Sequence, residues 1–294
     1  MQKIILYYQF APIADPQAVV LWQRSLCQRL NVRGRILVSG KGINGTLGGD
    51  IEDLKTYIKE TRQLPALKST EFKWSPGGRE DFPKLSIKAR SETVTLGLPE
   101  SVQVDERGIV DGGERIKPEA LDEFMTANPD AVLFDGRNNY ESAIGKFKNA
   151  ITPDVHTFKE LPAELDKPEY QALKDKKVVT YCTGGIRCEP LTALMKQKGF
   201  KQVYQLHGGI VKYGEAKKDT GLWEGKCFVF DRRMHVGFSE NSKDIGTCVH
   251  CQATTSNYKN CANQACNNLV LMCNNCAGLI DVCSAECQQV LVST

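Results

Sequence analysis

The chain has 294 residues, 41% of them hydrophobic and 25% charged, with a formal net charge of +3. That composition is globular and excludes a collagen-like or low-complexity polymer. No apolar run reaches the roughly 18 residues of a membrane-spanning helix, so no membrane association is expected.

The charge is uneven: residues 1–95 carry 15 Lys and Arg against 9 Asp and Glu, residues 96–240 carry 21 against 23, and residues 241–294 carry 2 against 3. A basic module joined to a near-neutral one suits a polyanionic substrate such as RNA; a solvated surface with extra lysines accounts for the charge equally well. The polar-punctuated start, Met1-Gln-Lys-Ile-Ile-Leu, reads as a strand and not as a signal peptide. We expect a cytoplasmic protein of two or three domains.

Residues 1–95 read as mixed α and β. Residues 4–10 are a first strand. Asp15 then Pro16 is a helix start, and Val19, Trp22, Leu26 and Leu30 follow at helical spacing, with Cys27 on the core side. Residues 34–38 are a second strand, followed by a glycine-rich loop, Ser39-Gly-Lys-Gly-Ile-Asn-Gly-Thr46. Lys41, Asn44 and Thr46 there are candidates for RNA phosphate contact; a tight strand–helix connection that needs glycines is the alternative. Asp50 can cap a second helix whose apolar face is Ile51, Leu54 and Ile58, and residues 72–74 and 85–87 are short strands. Trp74 is a candidate for stacking on a base or for a place in the core. Two helices against an antiparallel sheet make this domain ferredoxin-like.

Residues 96–240 alternate differently. Pro118 opens a helix carrying Leu121, Phe124 and Met125. Residues 131–134, 178–181 and 203–206 are continuous apolar runs of the kind buried in parallel sheets. Residues 188–198 place Leu191, Leu194 and Met195 at helical spacing. Strands alternating with helices predict an α/β domain with a parallel sheet, whose ligands bind at the carboxyl ends of the strands.

Cys182 stands at such an end and begins Cys182-Thr183-Gly184-Gly185-Ile186-Arg187-Cys188. A helix start near Cys188 aims free N–H groups and its positive dipole end at the turn. The two glycines let further amides converge, and Arg187 adds a permanent charge. Such a field favours the thiolate, the form that acts as a nucleophile, and stabilises developing negative charge. Cys188 is either a packing residue or a redox partner. His207 is a hydrogen-bonded loop histidine or an acid–base group.

Residues 241–294 form a third, cysteine-rich module, too poor in large apolar residues to fold on burial alone. Its spacings, Cys248-x2-Cys251, Cys261-x4-Cys266, Cys273-x2-Cys276 and Cys283-x3-Cys287, are those of metal ligands. Eight thiolates complete two tetrahedral, structural zinc sites, paired either in cross-brace or sequentially. His250 is a bystander.

The loop Cys182-x4-Arg187 between a strand and a helix resembles the active-site loop of the rhodanese superfamily. So does the upstream Phe134-Asp-Gly-Arg-Asn-Asn-Tyr-Glu141 element, in which the resemblance gives Asp135 and Arg137 the role of bracing the loop. Dual-specificity phosphatases use a loop one residue longer, closed by Arg; Cys188 stands there and argues against that activity. Together, Lys41-Gly-Ile-Asn-Gly-Thr46, the Cys182 loop, Phe228-Val-Phe-Asp231 with Arg233, and the cysteine module resemble the bacterial rhodanese-domain tRNA uridine hydroxylases along almost the whole chain. That resemblance implies an acylphosphatase-like N-terminal domain, Cys182 as the required residue, and oxygen-dependent 5-hydroxylation of the wobble uridine of tRNA. Lys41, Asn44 and Arg233 then become candidate RNA contacts. Molecular oxygen is the expected co-substrate, no flavin or nicotinamide motif is visible, and no protein partner is expected. Sulfur transfer through a Cys182 persulfide, and a zinc-containing RNA-binding or redox-sensing module, are the competing readings.

Overall fold

The computed structural model describes residues 1–292. Strand β1 (Gln2–Phe10) leads into helix α1 (Pro16–Arg29), β2 (Arg33–Ser39), β3 (Gly42–Asp50), α2 (Ile51–Thr61), β4 (Glu71–Ser75) and β5 (Ser86–Ala89). The Asp15 carboxylate accepts from the Gln17 and Ala18 amides and starts α1 as its sequence predicts. The sheet order β4-β1-β3-β2-β5 is the ferredoxin-like arrangement with β5 added, parallel, at the edge.

The glycine-rich segment is not a loop. Ser39 to Gly42 is a tight hairpin, and residues 42–50 are a full strand in the middle of the sheet, paired with both β1 and β2. Its glycines are there for close approach: a Cβ on Gly45 would stand 2.3 Å from the Tyr7 ring. Neither strand–helix connection nor free phosphate loop describes it.

Alternation along these strands separates two faces. Ile5, Tyr7, Ile36, Val38, Ile43 and Leu47 turn toward α1 and α2 and form one core. The opposite face carries two rows set by register. Lys73, Leu6, Thr46 and Arg35 are successive partners across β4-β1-β3-β2, and Glu71, Tyr8, Asn44 and Leu37 are the next row. This second face looks at the Cys182 loop.

The middle domain has a parallel sheet of β6 (Glu114–Ile116), β7 (Val132–Asp135), β8 (Lys177–Tyr181) and β9 (Gln202–Leu206), in the order β6-β9-β8-β7. Neighbouring residues of the apolar runs enter different cores: Phe134 and Val178 on one face, Leu133 and Val179 on the other. This accounts for their unbroken hydrophobicity. Helix α3 (Leu121–Ala127) follows β6, α4 (Asn139–Ser142) follows β7, α5 (Cys188–Gln197) follows the Cys182 loop, and α6 (Gly209–Lys217) follows β9. Val94 and Leu96 pack with the second core.

The cysteine-rich module lies against this domain: Tyr258 donates to the Tyr140 carbonyl and its ring meets Phe228 at 5.5 Å. Among the described residues no helix is long and apolar enough to cross a membrane.

Candidate active site

The turn from β8 into α5 is held from three sides. Gly185 has φ +96°, which bends the chain back so that its N–H donates to Cys182 Sγ at 3.1 Å. The first amides of α6 donate to the loop: Ile210 N–H to the Cys182 carbonyl and Val211 N–H to the Thr183 carbonyl, both at 3.0 Å. Gly209 permits this approach, since a Cβ there would lie 2.4 Å from the Cys182 carbonyl oxygen.

Cys182 itself is 1% exposed. Burial opposes its ionisation, but the Cys188 thiol, the Arg187 charge and the Arg187 and Cys188 amides prevail and lower its pKa to about 5. Cys188 moves the other way: burial, then the neighbouring Cys182, keeps it protonated. Cys188 therefore acts here as a donor to the thiolate.

Arg187 does not float free in the loop. Glu141, fully buried, grips it in a bidentate pair, Nη1 to Oε1 at 2.5 Å and Nη2 to Oε2 at 2.7 Å. Asp135 and Arg137 lie one step behind. Arg137 forms a bidentate pair with Asp135 (Nε 2.9 Å, Nη2 2.6 Å), donates to the Gly145 and Glu141 carbonyls, and lies between the Tyr181 and Trp223 rings. The pair braces the 141–145 segment that carries Glu141 and also packs on Tyr181, the residue before Cys182.

The N-terminal domain completes the site. Tyr8 Oη donates to Glu189 at 3.0 Å, and Arg115 donates to the same carboxylate at 2.8 Å. Lys73 is 4% exposed, donates from Nζ to the Gly184 carbonyl at 2.6 Å and sits over the Tyr8 ring at 4.9 Å. Burial draws its pKa below the ordinary lysine value, while Glu71 and the Cys182 thiolate act in the opposite direction. Between the sheet face and the loop lies a cavity of about 510 Å³ lined by Cys182, Arg187, Lys73, Asn44, Phe158 and Phe230 among others. That is within the ~300–1,000 Å³ of small-ligand sites, and its cations suit a nucleotide.

The other candidates divide. Asn44 and Thr46 line the cavity and Thr183, Gly184 and Ile186 form its floor. Lys41 is turned away: its ammonium is held by the Pro99 and Val102 carbonyls of the interdomain segment. Arg233 is paired with Asp231 and donates to the Pro76 carbonyl, tying residues 228–236 to the N-terminal domain. His207 hydrogen-bonds Glu71 at 3.2 Å. Trp74 packs with the first core and Cys27 is buried within it.

Lys73, Tyr8, Glu141, Glu189 and Phe230 had no role assigned from sequence. Lys73 carried one legible signal: it lies between Phe72 and Trp74 in an expected strand, so it must face away from their core.

The eight tail cysteines are all free thiols in two groups, Cys248, Cys251, Cys273, Cys276 and Cys261, Cys266, Cys283, Cys287. The pairing is therefore crossed, first pair with third and second with fourth. Sulfur separations of 3.5 Å (Cys251–Cys273), 3.6 Å (Cys266–Cys283) and 3.7 Å (Cys283–Cys287) fit one tetrahedral ion per group, since thiolates ~2.3 Å from a metal stand about 3.8 Å apart. The Cys283 N–H donates to Cys261 Sγ at 3.4 Å. His250 is outside both groups and meets the Val282 carbonyl.

Three family descriptions match in sequence: a UPF0176 acylphosphatase like domain at residues 2–93, a rhodanese-like domain at 117–216 and a rhodanese C-terminal region at 224–288. The chain is 55% identical over 276 residues to a Corynebacterium glutamicum protein named tRNA uridine(34) hydroxylase, covering 93% of this chain and 88% of that one. Proteins of the same name from Corynebacterium urealyticum (51% over 286 residues, 97% and 96% covered) and an Arthrobacter species (53% over 281 residues, 94% and 95% covered) are similarly close. The chain belongs to the tRNA uridine(34) hydroxylase family.

Proposed function

We propose that this chain hydroxylates C5 of uridine 34 in tRNA with molecular oxygen, using Cys182 as nucleophile. The observation that carries the reading is a buried Cys182 thiolate at the floor of a nucleotide-sized cavity ringed by Arg187, Lys73, Arg35 and Lys159.

The thiolate adds to C6 of the uracil, and the C5=C6 pair moves onto C5 and O4 as an enolate. Lys73 lines the same cavity and offers a cation to that oxygen. The C5 electron pair then forms a bond to dioxygen, and a proton completes a C5 hydroperoxide. Two equivalents of an external thiol reduce it to the C5 alcohol, releasing water and a disulfide. Loss of the C5 proton then expels Cys182 from C6 and restores the double bond. Addition at C6 requires uridine 34 out of its stack, as in other enzymes that act on a base.

The two crossed cysteine groups suit zinc, all-thiolate and closed, with no ligand position left for chemistry. Zinc there would hold together the module whose Tyr258 donates to the Tyr140 carbonyl. Elemental analysis should find two zinc per chain, and Cys261→Ser should lose one while Cys251→Ser loses the other. Loss of both from either variant would deny that the groups bind independently.

Nucleoside mass spectrometry of tRNA tests the activity. Cells lacking this gene, and any redundant route, should lose 5-hydroxyuridine-derived nucleosides, and the intact gene should restore them. Unchanged nucleosides with rapid thiocyanate formation from thiosulfate and cyanide would instead favour sulfur transfer through a Cys182 persulfide.

A further inference from the structure

A second cavity, about 410 Å³, adjoins the one over Cys182. The two share Leu6, Thr46, Thr183 and Phe230, so they are neighbouring chambers of one cleft. The second is chemically distinct: Pro76, Val211, Val229, Phe230, Val236 and Phe238 make its walls largely apolar. Among the described residues, Phe230 is the one aromatic side chain that borders both. It stands at the tip of a turn between Cys227–Phe228 and His235–Val236, closed by the Val229 N–H to Met234 carbonyl bond at 2.9 Å. The turn is anchored by the Asp231–Arg233 pair. Its ring is 55% exposed, yet it stacks edge-on to Phe228 at 5.1 Å and sits 5.8 Å from the Arg187 guanidinium. An exposed aromatic ring that borders both chambers has no core to serve.

We propose that the apolar chamber takes the nucleobase next to uridine 34 in the same strand, with Phe230 wedged between the two bases. This rests on the tRNA reading above. The occupant follows from continuity: a strand that places one base over Cys182 has its neighbour within reach of the adjoining chamber, and the cations of the first chamber, Arg35, Lys73, Lys159 and Arg187, are on hand for the phosphates between. Apolar walls with one projecting ring suit a base's π-face, and single-stranded loops are bound by such stacking. Uridine 34 would be held out of its stack because its neighbour's stacking partner is replaced by Phe230.

The test is hydroxylation kinetics on an RNA hairpin presenting uridine 34 in its loop, with the base on either side removed in turn. With the wild-type protein, one of the two abasic hairpins should raise KM about tenfold, with kcat changed far less. Phe230→Leu, which keeps apolar bulk but not the ring, should raise KM for the intact hairpin and show no further penalty for the abasic one. Phe230→Ala should behave alike, and its exposure makes both variants compatible with folding. Wild-type KM for both abasic hairpins, or undiminished abasic penalties in both variants, would overturn the proposal while leaving the hydroxylase reading intact. An intact hairpin that is never hydroxylated would overturn both.

Discussion

Replacing Cys182 by serine is expected to lower hydroxylation of uridine 34 by at least about a thousandfold while leaving tRNA binding and the fold in place. Serine preserves the size of the buried side chain, but its hydroxyl does not ionise in this field and cannot replace a thiolate as a nucleophile at neutral pH. The loop amides and Arg187 remain, so the anion cradle survives without its nucleophile.

The same variant reads the electrostatics. The thiolate absorbance lost on substitution should persist in the wild type from alkaline pH down to about 5, where an ordinary thiol with pKa 9.0 would already be protonated. Because the folded state favours the ionised form, the stability this contributes is complete above pH 9.0 and is lost as pH falls toward about 5. A difference absorbance that vanishes near pH 9 would show that the loop does not hold a thiolate.

Glu141→Gln should be the most damaging change at a residue that never meets the substrate. The substitution keeps shape but removes the only carboxylate paired with Arg187 among the described residues. Arg187 is 7% exposed, so its buried charge loses its paired carboxylate and keeps only the Cys182 thiolate nearby. Breaking such a pair costs about 3–5 kcal/mol. Chemical denaturation followed by the fluorescence of Trp223, buried in the same domain, should register the loss, and activity should fall with the misplaced guanidinium. Wild-type stability would mean that water or another carboxylate takes over.

How much of this was legible in the sequence depended on how local the determinant was. The Cys182 loop could be read directly, because strand, glycines, arginine and helix start are contiguous. The apolar runs of β7, β8 and β9 identified a parallel sheet, because burial on both faces leaves no room for polar alternation. Crossed pairing of the cysteines could not be read, since spacing alone allows more than one solution and only the backbone path decides.

The glycine-rich segment misled for a physical reason. Glycines there serve close approach between strands and to Tyr7, not turning, and a sequence does not distinguish the two uses. That change of element also moved Lys41 into a hairpin, where the carbonyls of Pro99 and Val102 hold it. The roles of Glu141, Lys73 and Phe230 at the loop could not be read. Each acts on the loop across 46, 111 or 43 residues of chain, and nothing in the local pattern of any one names its partner.

The most direct measurement is to incubate the purified protein with tRNA and a thiol reductant under oxygen-18-labelled dioxygen and weigh the nucleosides released. The account predicts 5-hydroxyuridine at position 34 carrying the heavy isotope with the wild-type chain, and unmodified uridine with Cys182→Ser. A product with oxygen drawn from water, or equal product from the serine variant, would contradict it.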